Sequence, residues 1–335
     1  MTEQSTKFAN TILTEAFNTT SENYTFEAFT TADIVLISFS LVISLLGVVG
    51  NGVILWFLGF KIKRNKFTIY ILNLATADLM FLLCCLVVLF YILLDIGTSI
   101  APWTVLQFLL IFGYYTGLYL LTAISMERCL SVLYPIWYQC KRPRHLSAFV
   151  CGFLWVLSCL VTGLEFFVCV EWGEESFTHM KGCEIALFMF ICILTFLVFT
   201  PLMVISSLTL LIKIRMSSQQ HHQPKLYIVI VTTVFVFCVF AMPLRILSLL
   251  WYQQLNYPEI FEYLTILFSS INSTANPFIY FLVGSQGRQI FEGFTILAAL
   301  QRVFKDDSEI PVRQETESTR SNLSQVERRY ISHHT

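Results

Sequence analysis

Residues 67–94 read FTIYILNLATADLMFLLCCLVVLFYILL, an apolar run broken by one charged side chain, Asp78. Lipid offers a free backbone amide no partner, so a segment crosses a bilayer only as a helix of about 20 apolar residues or as part of a closed barrel. Barrel strands alternate in polarity, and this run does not. It predicts a spanning helix whose single carboxylate faces other helices rather than lipid.

The same signature recurs on both sides of it. Charge-free stretches lie between Asp33 and Lys61, Asp95 and Glu127, His145 and Glu165, Glu184 and Lys213, and Glu262 and Arg288, while 226–252 is interrupted only by Arg245. The expected fold class is an all-α membrane protein, a bundle of seven transmembrane helices. Composition agrees: of 335 residues 56% are hydrophobic and 13% charged, against about 25% charged in a soluble domain. The formal net charge of -1 leaves no electrostatic footprint for a nucleic-acid backbone, which excludes that partner and leaves lipid as the solvent.

Lys and Arg in the short loops set the expected orientation. Lys61, Lys63, Arg64 and Lys66 follow the first span, Lys141, Arg142 and Arg144 the third, and Arg215 and Lys225 the fifth, whereas the opposite loops offer Lys181. This predicts an extracellular N-terminus and a cytoplasmic C-terminus. The first 30 residues are polar and lack the apolar core of a cleavable signal, so the first span is expected to direct insertion. Sequons at Asn18 and Asn23 would then meet the glycosylation machinery, and those at Asn272 and Asn322 would not.

The expected organisation is an extracellular tail over 1–32, the helix bundle over 33–284, a membrane-surface helix over 285–304 and a disordered cytoplasmic tail over 305–335. In 285–304, Ile290, Phe291, Phe294, Leu297 and Leu300 form one stripe. Of the ten cysteines, Cys169 and Cys183 fall on the outer side and flank an acidic loop. Bridging them would tie the top of the fourth helix to the top of the fifth; two free thiols are the alternative.

Charges inside a bilayer are costly and mark mechanism. By depth, Asp78 should meet Asn51 on the first helix and Asn272, Ser273 and Asn276 on the seventh. A carboxylate among amides and hydroxyls could hold a sodium ion or join a network with water. Gly117 stands where a hydroxyl would complete a cage, which favours the network. Glu127 and Arg128 are adjacent at the inner end of the third span and could pair locally; an interfacial, snorkelling Arg128 is the other reading. Pro201, Pro243 and Pro277 each deprive a carbonyl of its amide donor inside a span, and Asn276-Pro277-Phe278-Ile279-Tyr280 suits a hinge.

Gly50-Asn51, the Asp78 motif, Glu127-Arg128-Cys129, Trp155, Pro201, Pro243 and the Asn276–Tyr280 motif, one per helix in order, together resemble the rhodopsin-like G-protein-coupled receptors. GLYLLTAISMERCLSVLYPIWYQCKRP (117–143), KLYIVI (225–230), FAMP (240–243) and STANPFIYFLVGS (273–285) are similar to the Mas and Mas-related branch. The resemblance runs over nearly all of residues 33–305. It implies a plasma-membrane receptor that converts binding of a small peptide or cationic ligand into activation of a heterotrimeric G protein, Gq or Gi by analogy, with Arg128 and Tyr280 in the activation machinery.

It also implies that Cys169 and Cys183 form that branch's staple, since Trp103 replaces the cysteine of the general pattern. Ala241 stands where many relatives have the sixth-helix Trp, so an aromatic toggle at that position is not expected. Thr209 and Gln223 occupy positions of a Tyr and an acid near the inner ends of helices five and six, which predicts appreciable basal signalling. Ser318, Thr319 and Ser321 in the tail are candidate phosphorylation sites for recruiting arrestin.

For the ligand, Leu110 replaces the Asp of amine receptors, and no Lys occurs between Lys225 and Lys305 to hold retinal. Glu165 matches the acid that relatives use for cations; Leu187 stands at the position of a second acid found in some. The expected contacts are Glu165 and Glu262 to a basic group, Arg245 to a carboxylate, and Tyr114 beside them, with pairing of Arg245 to one of the glutamates as the alternative. No nucleophile beside a base, metal-spaced histidine cluster or phosphate loop points to an enzyme. No cofactor is expected beyond the sodium ion considered at Asp78. A channel or transporter would need a continuous polar path or inverted repeats, and a non-signalling decoy receptor would not need Arg128 and Tyr280.

Overall fold

The computed structural model describes residues 30–62, 65–94, 100–164, 190, 193–216, 224–241 and 260–285. The chain divides into two compact units, residues 1–35 and 36–335. In the first, Thr30 and Asp33 cap each other: Thr30 N donates to Asp33 Oδ2 at 3.0 Å and Asp33 N to Thr30 Oγ1 at 3.3 Å. This reciprocal cap satisfies amides that a helix start leaves without partners.

Seven α-helices run through the described residues: α1 (Thr31–Trp56), α2 (Thr68–Leu93), α3 (Ile100–Leu133), α4 (Leu146–Gly163), α5 (Thr200–Met216), α6 (Pro224–Val236) and α7 (Ile260–Ser285). Five spans, Thr31–Lys61, Thr68–Leu93, Pro102–Leu133, Leu146–Gly163 and Ile260–Val283, are long and apolar enough to cross a membrane. Leu197–Lys213 and Ile228–Phe240 are shorter apolar helices. Residues 286–304 of the expected surface helix, 1–29 of the N-terminal tail and 305–335 lie outside the described residues, while Thr31 already opens α1 and Ser285 closes α7.

The bundle is apolar outside as well as in its core, where Leu74, Tyr119, Leu120 and Phe237 are buried. Large apolar side chains such as Phe39 and Val49 on α1, and Phe149, Phe153 and Leu160 on α4, are exposed. That would be costly in water and is suited to hydrocarbon. Among these apolar residues the interior also holds buried polar groups, and hydrogen bonds join the helices. Ser44 Oγ donates to Ser270 Oγ at 3.2 Å, Thr274 Oγ1 to Ile43 O at 3.1 Å, and Trp155 Nε1 to Asn73 Oδ1 at 3.0 Å. Small residues permit the approach: a Cβ added at Gly47 would fall 2.2 Å from Thr274 Oγ1. Helix α3 is the most enclosed of the five long spans.

Wider π-helical turns interrupt the regular geometry at Phe57–Lys61, Trp137–Lys141, Leu194–Phe199 and Phe237–Ala241. The third ends two residues before Pro201. The missing N–H of that proline cannot take its place in the i→i−4 ladder, and the helix relaxes by one residue. Around Pro277 the response differs, and α7 stays α-helical throughout.

Candidate functional site

The end of the bundle that carries Arg128 is assembled from three segments. Asn65, in the loop between α1 and α2, caps α2: its Oδ1 accepts from Phe67 N at 3.0 Å and Thr68 N at 2.7 Å. This pins Phe67 at the mouth of the helix. On α3, the Cζ atom of Arg128 lies over the Phe67 ring, 3.6 Å from its centroid, within the reach of a cation–π contact.

Local pairing of Glu127 with Arg128, one of the two sequence readings, is not what the geometry adopts. Glu127 forms its ion pair with Arg142, whose side chain is fully enclosed. The π turn Trp137–Lys141 brings Arg142 back beneath α3. Neighbouring residues on a helix point about 100° apart, so an adjacent partner cannot compete with one delivered from below. Tyr70 Oη adds a long contact of 3.4 Å to Glu127 Oε2.

Arg142 is tied further. It donates to Ser147 Oγ at 2.7 Å, and Ser147 Oγ donates to Lys66 O at 2.8 Å. Lys66 Nζ in turn donates to Tyr138 O at 3.1 Å. The Tyr138 ring has Lys66 Nζ at 5.1 Å and Arg142 Cζ at 5.2 Å from its centroid. Burial, and then the Glu127 carboxylate, push the Tyr138 phenol up to about 12. The loops after α1 and α3 are thus clasped into one unit beneath Glu127. On α5, Thr209 turns its hydroxyl to its own helix, donating to Ile205 O at 2.8 Å.

One layer further in, Asp78 is buried on α2, and Asn276 Nδ2 of α7 donates to its Oδ2 at 2.7 Å. Asn51, expected at Asp78 by depth, instead donates to the backbone, to Gly47 O at 3.0 Å and Ser273 O at 3.2 Å. It secures α1 to α7 next to Asp78's partner. Two amide oxygens, Asn272 Oδ1 and Asn276 Oδ1, are buried without a hydrogen-bond partner. An amide oxygen on Asn276, which already touches the carboxylate, is a hard donor of the kind that suits a sodium ion. The third helix adds only Gly117, whose added Cβ would stand 3.6 Å from Asp78 Oδ1. Among the described residues no cluster of three His, Cys, Asp or Glu occurs.

Between the two layers lies a narrow cleft of about 10 Å³, room for roughly one water, bordered by Phe67, Ile71, Leu121, Thr233 and Tyr280. Above Asp78, Tyr115 stacks with Tyr119 at 6.2 Å, and Tyr119 with Phe199 at 4.0 Å. This ladder runs from α3 into the π turn before Pro201.

Towards the opposite mouth, Tyr114 is half-buried between Phe81 at 6.3 Å and Tyr115 at 5.8 Å. Glu262 is exposed in the first turn of α7. Ala241 ends the last π turn. Asn18, Asn23, Glu165, Cys169, Cys183, Pro243 and Arg245 lie outside the described residues. Phe67, Tyr70 and Ser147 were not singled out by the sequence, and Arg142 was read only as a loop charge. Their roles depend on loop folding, for which the sequence holds no spacing signal.

Residues 50–280 match the family described as 7 transmembrane receptor (rhodopsin family). The chain belongs to that family. It is 50% identical over 276 residues to the rat protein named Proto-oncogene Mas, covering 82% of this chain and 84% of that one. It is 45% identical over 305 residues to mouse Mas-related G-protein coupled receptor member H, covering 89% and 92%. With human Mas-related G-protein coupled receptor member D it shares 41% over 290 residues, covering 84% and 88%. The protein is a cell-surface G-protein-coupled receptor of the Mas-related type, a multi-pass protein of the plasma membrane and not an enzyme. Helices α1–α7 are the receptor bundle.

Proposed function

We propose that an extracellular agonist, a small peptide or another cationic ligand, shifts a pre-existing equilibrium of this bundle so that Arg128 is uncovered to a heterotrimeric G protein, Gq or Gi. The observation that carries the reading is the arrangement at Arg128: Glu127 is committed to Arg142, and the guanidinium lies on an aromatic face. When the helices part, its planar five-donor fork is presented to the G protein.

Lys and Arg gather in the loops at that end, which supports a cytoplasmic C-terminus and an extracellular N-terminus glycosylated at Asn18 and Asn23. A Cys169–Cys183 disulfide would then staple the outer mouth, where Glu165 and Glu262 receive the basic group, Arg245 a carboxylate, and Tyr114 supports the floor. Ser318, Thr319 and Ser321 recruit arrestin once phosphorylated. Absence of a tyrosine at Thr209 supports appreciable ligand-free output.

At Asp78 we read a hydrogen-bonded network through Asn276, extended by water. The two orphaned amide oxygens support a second reading. A sodium ion would be held by Asp78 with Asn272, Ser273 and Asn276, supplying positive charge against the buried carboxylate. A higher unfolding midpoint in sodium chloride than in choline chloride supports the ion; equal midpoints leave the network alone.

The main test is a peptide library screened on transfected cells for calcium release and cAMP, with Arg128→Gln and Glu165→Lys alongside the wild type. Arg128→Gln is expected to abolish output, and Glu165→Lys to cost a cationic agonist tenfold or more in potency. Output that survives Arg128→Gln overturns the mechanism. Unaltered potency removes Glu165 from the ligand site.

A further inference from the structure

We infer that the ring of Phe67 is a resting-state clamp on Arg128, a positioning residue that helps set how readily the receptor reaches its G protein. The inference rests on the reading of Arg128 as the residue uncovered on activation. Three observations carry it.

The first is that the acid which could restrain Arg128 is engaged elsewhere. Glu127 pairs with the enclosed guanidinium of Arg142, and Arg142 is held in turn by Ser147. A second cation drawn to the same carboxylate would meet the charge of Arg142, so Glu127 is a poor lock for its neighbour. The second is the placement of the ring. Arg128 Cζ lies 3.6 Å from the Phe67 centroid, close enough for face-on stacking of the planar guanidinium on the π cloud. Phe67 itself is 2% exposed, so little water screens the contact.

The third is that the backbone bearing this ring is held independently of Arg128. The Asn65 side chain accepts the amides of Phe67 and Thr68, and Asn65 N donates to Thr68 Oγ1 at 2.8 Å. A fixed aromatic face and a long, jointed side chain make a contact that can open without unfolding either helix. Phe67 also borders the cleft shared with Tyr280 and Thr233. Residues of α6 and α7 thus line the same water-sized gap as Phe67, and a rearrangement of either helix changes the walls around that side chain. Movement at the proline-bearing helices and release of the guanidinium are coupled through one side chain.

An electrostatic clamp and a merely space-filling phenylalanine make different predictions. Fluorination drains negative charge from the ring face while leaving its size nearly unchanged. In the full-length receptor, nonsense suppression would place phenylalanine, 4-fluoro-, 3,5-difluoro- and 3,4,5-trifluorophenylalanine at position 67. Ligand-free guanine-nucleotide exchange on added G protein would be read in membranes and normalised to surface receptor. The expected result is a stepwise rise with each fluorine, reaching about two- to thirtyfold, the range spanned by a cation–π contact from exposed to desolvated settings. Phe67→Trp, with its stronger quadrupole, should lower exchange.

A flat or falling series while Arg128→Gln abolishes exchange overturns the clamp and leaves the Arg128 mechanism standing. Exchange untouched by Arg128→Gln removes both. Should Phe67→Leu fail to reach the surface, the fluorinated series still decides, because it preserves the packing.

Discussion

Two buried charges one layer apart are managed in opposite ways. Asp78 is held inside the helices: Asn276 donates to it, and nearby Asn51 fastens α1 to backbone of α7. Glu127 and Arg128 are held from outside the helices, by Arg142 on the loop after α3 and by Phe67 at the capped start of α2. A group held by neighbouring helices moves only with them. One held by loop side chains can change partner while the helices stay intact. In the proposed mechanism the Arg128 layer is the part that switches.

The largest expected effect breaks the loop-held side. Arg142→Ala would leave Glu127 as an uncompensated buried carboxylate, at a cost of about 3–5 kcal/mol. Surface expression and the unfolding midpoint should fall sharply, and adding Glu127→Leu should recover much of the loss. If Arg142→Ala is neutral, the pair does not hold the loop. Next comes Asn276→Ala, which deprives Asp78 of its amide donor at about 1–3 kcal/mol. Its loss of midpoint should not be relieved by changes at Arg142, since the two layers share no partner.

A sharper comparison sets Glu127→Gln against Phe67→Leu in ligand-free nucleotide exchange. With Glu127 committed to Arg142, the glutamine variant should raise exchange less than the leucine variant does. The reverse order would return the restraint of Arg128 to its neighbouring acid. The smallest effect concerns Tyr138. Its phenol is raised from 10.0 to about 12, so the folded state holds that proton more tightly than the unfolded chain. The resulting stabilisation is complete below pH 10 and is lost as pH rises towards 12. Tyr138→Phe should flatten that alkaline decline in thermal-shift measurements; an unchanged slope would show that the phenol does not contribute.

The spans were legible because lipid demands long apolar helices and tolerates few charges. Asp78 and Asn276 were legible for the same reason, as polar groups at one depth must meet. Asn51 was placed at the right depth but given the wrong acceptor, because sequence does not reveal which backbone carbonyls a Thr- and Gly-lined contact leaves open. Arg142 was hidden among the basic residues that mark any inward loop. What sets it apart is a π turn, and no pattern in Trp137–Lys141 announces one. Phe67 reads as the first apolar residue of a span. Its importance comes from Asn65 and Arg128, which lie before it on the capping loop and 61 positions after it on another helix.

The close seat of α1 on α7 has a consequence during synthesis. Ser44 meets Ser270 across 226 residues of chain. At about 5–20 residues per second, roughly ten to forty-five seconds separate manufacture of the two. The first helix to enter the membrane thus waits for nearly the last, with the Gly47 face open to lipid or to a chaperone. A chain lacking α7 would keep the contact of Gly47 with Leu82 of α2 but leave the Ser44 hydroxyl without the partner that Ser270 supplies.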